Sequence, residues 1–111
     1  MIESYEFGRI VINGKEYTND VIIFPNRVIN WWRKEGHKLQ VEDIEEITKV
    51  KPKILIVGTG YSGMMEIVQE VREYLNSNKV ELKADITEKA CEMYNKFFKT
   101  KKVVAALHLT C

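Results

Sequence analysis

The chain has 111 residues, 17 basic and 16 acidic side chains and a net charge of +1, a length that makes one domain, residues 1–111, with a single core flanked by a few helices. Hydrophobic content of 45% and charged content of 30% exclude a disordered chain. The near-even charge, with no dense basic run, makes neither nucleic acid nor an anionic membrane an expected partner. The longest apolar stretch, ILIVG, is far too short to span a bilayer. The opening MIESYEFG carries acidic residues and no hydrophobic signal core, so a cytoplasmic location is expected. Cys91 and Cys111 suit a reducing compartment, and no disulfide between them is expected.

Residues 5–18 alternate apolar and polar around Asn13-Gly14, a dipeptide that favours the positive φ angles of a type I′ turn and so predicts a hairpin. The run 21–24, VIIF, reads as a buried strand ended by Pro25. The next segment is expected to be extended to about Arg33, with a turn at Glu35-Gly36. Val41, Ile44 and Ile47 at spacings of three, followed by Val50, predict a short helix stopped near Pro52. A strand over 53–57 then leads through a glycine loop into a helix that starts near Gly63 and carries Met64, Ile67, Val68, Val71 and Leu75 on one face. A strand at 80–84 follows. Thr87 reads as the N-cap of a helix over 88–99, with Ala90, Cys91, Tyr94, Phe97 and Phe98 facing inward. The final KKVVAALHLT is a strand apolar on both faces, expected at the centre of a sheet. The fold class that results is α/β: three layers, a mixed central sheet with crossover helices, and an N-terminal β-hairpin layer.

The loop Gly58-Thr59-Gly60-Tyr61-Ser62-Gly63 has GxGxxG spacing, and Glu81 stands ~20 residues on, where a dinucleotide site places its ribose partner. However, too little chain follows Gly63 for a second mononucleotide half, so no nucleotide cofactor is expected. The same loop fits GxxxxG, but Met64 and Met65 occupy the positions of the lysine and Ser/Thr of a P-loop, which removes the charge and the hydroxyl that triphosphate chemistry needs. Gly60-Tyr61-Ser62-Gly63 is GxSG rather than the GxSxG of a nucleophile elbow. Two readings of the loop stay open. The glycines serve backbone geometry alone, or the amides of 60–64 at the helix N-terminus also hold an anion or small polar ligand, with Tyr61 and Ser62 supplying hydroxyls and His108 nearby.

Adjacent Trp31 and Trp32 in an extended segment point to opposite faces, so one is expected in the core and the other at the surface. With Arg33 beside them they read either as core packing with a cation–π contact or as a partner-contact anchor. His108 and Cys111 form an HxxC pair that alternation places on opposite faces, and His37 and Cys91 lie far off in sequence, so no metal site is expected.

Taken together, WWR and GH in the first half, KPKILIVGTG, the run Thr87, Ala90, Tyr94, Asn95, and the terminal AALHLTC resemble in order the small one-domain family that includes an adipogenesis-associated protein and mitochondrial complex I assembly factor three. The resemblance covers nearly the whole chain. It implies a three-layer α/β fold with a hairpin layer, and an assembly role by analogy with the mitochondrial members. This chain departs from the family in carrying Lys101-Lys102 before the last strand, where many relatives have Gly-Arg, and, with no targeting segment expected, a mitochondrial member is not the expectation. The leading expectation is a non-enzymatic interaction or assembly module, joined to a protein partner or a second copy, with a small-anion site at the glycine loop. The alternative is an enzyme or cofactor-binding protein that uses the same loop with Ser62, Asn95 or His108.

Overall fold

The computed structural model describes residues Met1–Cys111. Its N-terminal layer is an antiparallel sheet of β1 (Ile2–Glu6), β2 (Arg9–Ile12) and β3 (Lys15–Tyr17). The expected hairpin is β2–β3, turning at Asn13 and Gly14, whose φ angles of 50° and 81° are those of a type I′ turn. The sequence pattern hid the third strand, because β1 buries only Ile2 fully and shows little alternation.

The central sheet has five strands in the order β5-β4-β10-β7-β9. These are β4 (Val21–Phe24), β5 (Arg27–Asn30), β7 (Ile54–Gly58), β9 (Glu81–Asp85) and β10 (Val103–Leu107). β10 is central, parallel to β7 and antiparallel to β4, and all five of its residues are buried. Its alternation divides the interior into two cores. Val103, Ala105 and Leu107 join Ile54, Ile56, Val21 and Ile23 under the N-terminal layer and α3 (Thr87–Phe97). Val104 and Ala106 join Leu55, Val57, Ile22 and Phe24 on the other face, against α1 (Glu45–Lys49) and α2 (Gln69–Ser77). The three-layer mixed α/β architecture is thus present. No helix is long and apolar enough to cross a membrane.

Three expected helices change on folding. The 41–50 helix divides into a 3₁₀ turn, Val41–Asp43, and the five-residue α1. Asp43 ties down its entry by accepting from the amides of Gln40 and Lys34. The helix expected from Gly63 begins only at Gln69. Before it the chain is extended, and β8 (Glu66–Ile67) pairs in parallel with β6 (Lys38–Leu39). The physical reason is that the amides of Met64, Met65 and Glu66 donate to Cys111, Thr59 and His37 rather than four residues back. Thr87 is the first residue of α3, not its cap; Ile86 takes the cap position, and the helix ends at Phe97 rather than 99. Ala90, Cys91 and Tyr94 are buried as expected, with Phe97 and the C-cap residue Phe98 half-buried.

Candidate functional site

The parallel strands β7 and β9 and the central β10 all end at one edge of the sheet, and the antiparallel β4 begins there. Because Val21 pairs with Leu107, Asp20 falls beside His108. The β4–β5 pairing continues past Asn30, with the Trp31 amide donating to the Asp20 carbonyl at 2.8 Å, which brings Arg33 back to the same place. Tertiary pairing alone thus assembles Asp20, Arg33 and His108.

The Asp20 carboxylate is the hub. One oxygen accepts from the Leu109 amide at 2.7 Å; the other accepts from Arg33 Nη1 at 2.7 Å and faces His108 Nδ1 at 2.8 Å. Arg33 Nη2 donates to the Gly36 carbonyl at 3.0 Å and lies 3.1 Å from the same His108 Nδ1. The shorter approach to the carboxylate favours the tautomer in which Nδ1–H donates to Asp20. The guanidinium stacks on the Trp31 ring at 4.6 Å, and the indole N–H of Trp31 is held by the Asp43 carbonyl. Burial works against the Asp20 charge, but hydrogen bonds from His108, the Leu109 amide and Arg33 outweigh it and hold the carboxyl below its ordinary pKa. The Arg33 and His108 side chains are only 5% and 7% exposed, and Arg33 Nε and His108 Nε2 are buried without a hydrogen-bond partner.

The glycine loop closes against this cluster. The Gly60 amide donates to Thr87 Oγ1 at 2.9 Å, and that hydroxyl donates to the His108 carbonyl at 2.6 Å. Tyr61, Gly63 and Met64 donate to the carbonyls of Thr110, Gly60 and Cys111, and the Thr59 amide and hydroxyl both donate to Asp85 O. Of the amides from 60 to 64, only that of Ser62 has no partner. Gly60 sits at φ +114°, and a Cβ there would run into the backbone of Cys111. The loop therefore has no α-helix N-terminus behind it, and offers an anion only the Ser62 amide and the Tyr61 and Ser62 hydroxyls. Glu81 starts β9 beside Ile54, at the opposite end of the sheet from the loop, and cannot serve as a ribose partner to it.

The other expected residues disperse. Asn95 pins the N-terminal strand, exchanging hydrogen bonds with the amide and carbonyl of Ile2 at 2.8 Å. Ser62 is exposed, and His108 is buried in the charged cluster. Trp31 is buried at 4% exposure and Trp32 stands out at 77%, while Phe7, Tyr61 and Met64 are also exposed. All four outward side chains flank the 109–111 segment. Gly8 donates to Leu109 O, Tyr61 to Thr110 O and Met64 to Cys111 O, and Trp32 shares a cavity of about 290 Å³ with Thr110. The largest concavity, about 510 Å³, opens between β1 and α3 and meets these side chains at Phe7 and Tyr61, the latter the one glycine-loop residue that lines it. Both cysteines are free, and burial, with Glu88 and Glu92 nearby, pushes the Cys91 thiol up to about 12. No group of three or more His, Cys, Asp or Glu side chains is placed to hold a metal ion. The sequence reading missed Asp20, whose only local mark is a carboxylate directly before an apolar strand.

The fold recurs in solved proteins. The chain is similar to hypothetical protein PH1505 of Pyrococcus horikoshii OT3, with 28% identity over 100% of this chain and 99% of that one and a TM-score of 0.92. It is likewise similar to MT938, with 26% identity over 100% and 98% and a TM-score of 0.85. A Bordetella pertussis protein described as a Mth938-like domain shares the fold at 18% identity over 97% and 84%, with a TM-score of 0.72. A family model matches residues 2–108, and on that match the chain belongs to the family described as protein of unknown function (DUF498/DUF598).

Proposed function

We propose that this protein is a non-enzymatic interaction module that contacts a protein partner or a second copy of itself through the aromatic rim around residues 109–111. The observation that carries the reading is the exposure of Trp32, at 77%, on a cavity it shares with Asp20 and Arg33, members of a cluster in which Asp20 pairs with both Arg33 and His108. An exposed indole on a backbone segment fixed by a buried ion pair, with Arg33 as its neighbour, has the composition of an interface anchor. An enzymatic reading fits less well, because His108 Nε2, the nitrogen that would face a substrate, is buried, and Ser62 and Asn95 do not converge on it. The assembly role of the resembling mitochondrial proteins is the functional class this surface suits.

Sedimentation velocity over a concentration series tests the reading on wild type, Trp32→Ala and Phe7→Ala. Trp32→Ala is expected to keep its folding stability to within about 0.5 kcal/mol, as surface substitutions do, and to weaken self-association or partner capture by roughly thirty-fold, the scale of a 2 kcal/mol hot spot. A wild type that stays monomeric throughout, together with a Trp32→Ala variant destabilised like a core truncation, would make the indole a packing residue and remove the reading.

A further inference from the structure

The opposite end of the sheet has a different character. β7 and β10 begin there side by side, with the amides of Lys53 and Ile54 both donating to the Lys102 carbonyl. That register merges two segments distant in sequence, one carrying Lys49, Lys51 and Lys53 and the other Lys99, Lys101 and Lys102. All six lysines are exposed, and none has a carboxylate within ion-pair distance. Arg27, at the start of β5, joins them, its guanidinium over the Phe24 ring at 4.8 Å. Arg27 and Lys102 share a cleft of about 390 Å³ that is also lined by Phe24, Pro25, Asn26 and Val50.

Two carboxylates near this pole are Glu46 and Glu81, the latter beside Ile54 in the sheet. Glu46 faces Arg27 at 3.8 Å and so offsets that one cation, while Glu81 faces Lys83 at 3.0 Å; neither is within ion-pair distance of the six lysines. Seven of the chain's 17 basic residues are thus set apart at one pole. The overall charge of +1 averages over this separation, and for that reason composition gave no sign of it.

We infer that this basic pole binds the phosphate backbone of a nucleic acid without reading its bases. Six exposed ammonium groups on two adjoining segments suit a chain of phosphates, which presents a charge every few ångströms and releases counterions on contact. Asn26 and Arg27 in the cleft add N–H donors for one phosphate. A bilayer is the poorer fit, since a stably bound membrane surface needs a second, apolar signal, and the exposed rings Phe7, Trp32 and Tyr61 stand at the other end of the molecule. The inference concerns a surface separate from the aromatic rim and is independent of the interaction reading above.

The test is fluorescence anisotropy of a labelled 20-nucleotide single strand and a 20-base-pair duplex, titrated with wild type, Lys101→Glu/Lys102→Glu and Trp32→Ala between 50 and 200 mM salt. Wild type is expected to bind both probes in the range ~1–100 μM whatever their sequence, with log K falling against log salt at a slope of about −3 for ~4 phosphates on the single strand. The charge-reversal variant should bind at least tenfold more weakly with a shallower slope, and circular dichroism should show it folded, because both lysines are exposed. Trp32→Ala should bind like wild type. The inference is overturned if wild type fails to bind at 50 mM salt, if the reversal leaves affinity and slope unchanged, if poly-glutamate of equal charge competes as well as the oligonucleotide, or if vesicles containing ~30% phosphatidylserine bind and the oligonucleotides do not.

Discussion

At the scale of single residues, Asp20 decides most. It is the only carboxylate within ion-pair distance of the buried Arg33, and it also holds the Leu109 amide and the His108 ring. Breaking a buried pair from one side costs about 3–5 kcal/mol, since it strands the remaining charge. Asp20→Ala is therefore expected to lose stability on that scale in urea denaturation, and adding Arg33→Met to it should recover part of the loss. A double variant less stable than the single one would show that the guanidinium has another anchor. The acid side follows from linkage. The Asp20 pKa is depressed in the folded state, so its contribution is fully present above the ordinary carboxylate pKa of about 3.9 and is lost as pH falls through the lower folded value. The stability gap between wild type and Asp20→Asn should accordingly be constant above about pH 5 and shrink below pH 4. A gap that does not change down to pH 2 would contradict this.

At the scale of elements, the glycine loop acts as a clasp joining β7, α3 and the end of the chain. Its centre is the Thr87 hydroxyl, which bridges the Gly60 amide and the His108 carbonyl with no exposure to solvent. Thr87→Val should orphan both groups at about 1–3 kcal/mol each, whereas Thr87→Ser keeps the hydroxyl and loses one methyl, about 0.8 kcal/mol. Equal melting temperatures for the two variants would mean the hydroxyl contributes nothing. The loop also marks where the sequence stops being legible. Strand β10 could be read directly, because a run apolar on both faces has few places to go other than the middle of a sheet. The stretch from Met64 to Val68 could not, since its apolar spacing suits a helix while its amides are taken by Thr59 across the loop and by Cys111, His37 and Leu39, partners remote in sequence. The same holds for the charged cluster: Arg33 and His108 are 75 residues apart and meet only because β4 pairs with both β5 and β10. The tryptophan pair was legible because alternation along an extended segment is a local rule.

At the scale of the whole molecule, β10 is the wall shared by two cores of similar size, and each outer layer can open only by exposing one of them. The N-terminal sheet buries Ile2, Ile10 and Ile12 and is tied on through Asn95, through the Tyr5 hydroxyl on Leu109 O at 2.8 Å, and through the Gly8 amide on the same carbonyl. The β6–β8 pair has only two residues in each strand, and its two outward ones, Lys38 and Glu66, are exposed. Local opening draws on regions with few buried contacts and solvent-exposed backbone bonds. Amide hydrogen exchange should therefore rank the molecule in three steps: Ile54–Gly58 and Val103–Leu107 slowest, exchanging only by global unfolding; Arg9–Ile12 intermediate; and Lys38–Leu39 with Glu66–Ile67 fastest. Both surfaces assigned here depend on that ranking. The aromatic rim rests on the end of β10 and the basic pole on its start, so a rigid β10 keeps the two about a strand's length apart, ~17 Å for five residues, and lets each be altered without disturbing the other. Slow-exchanging amides confined to one core, with β10 exchanging as fast as β6 and β8, would break that independence and couple the two ends through local unfolding.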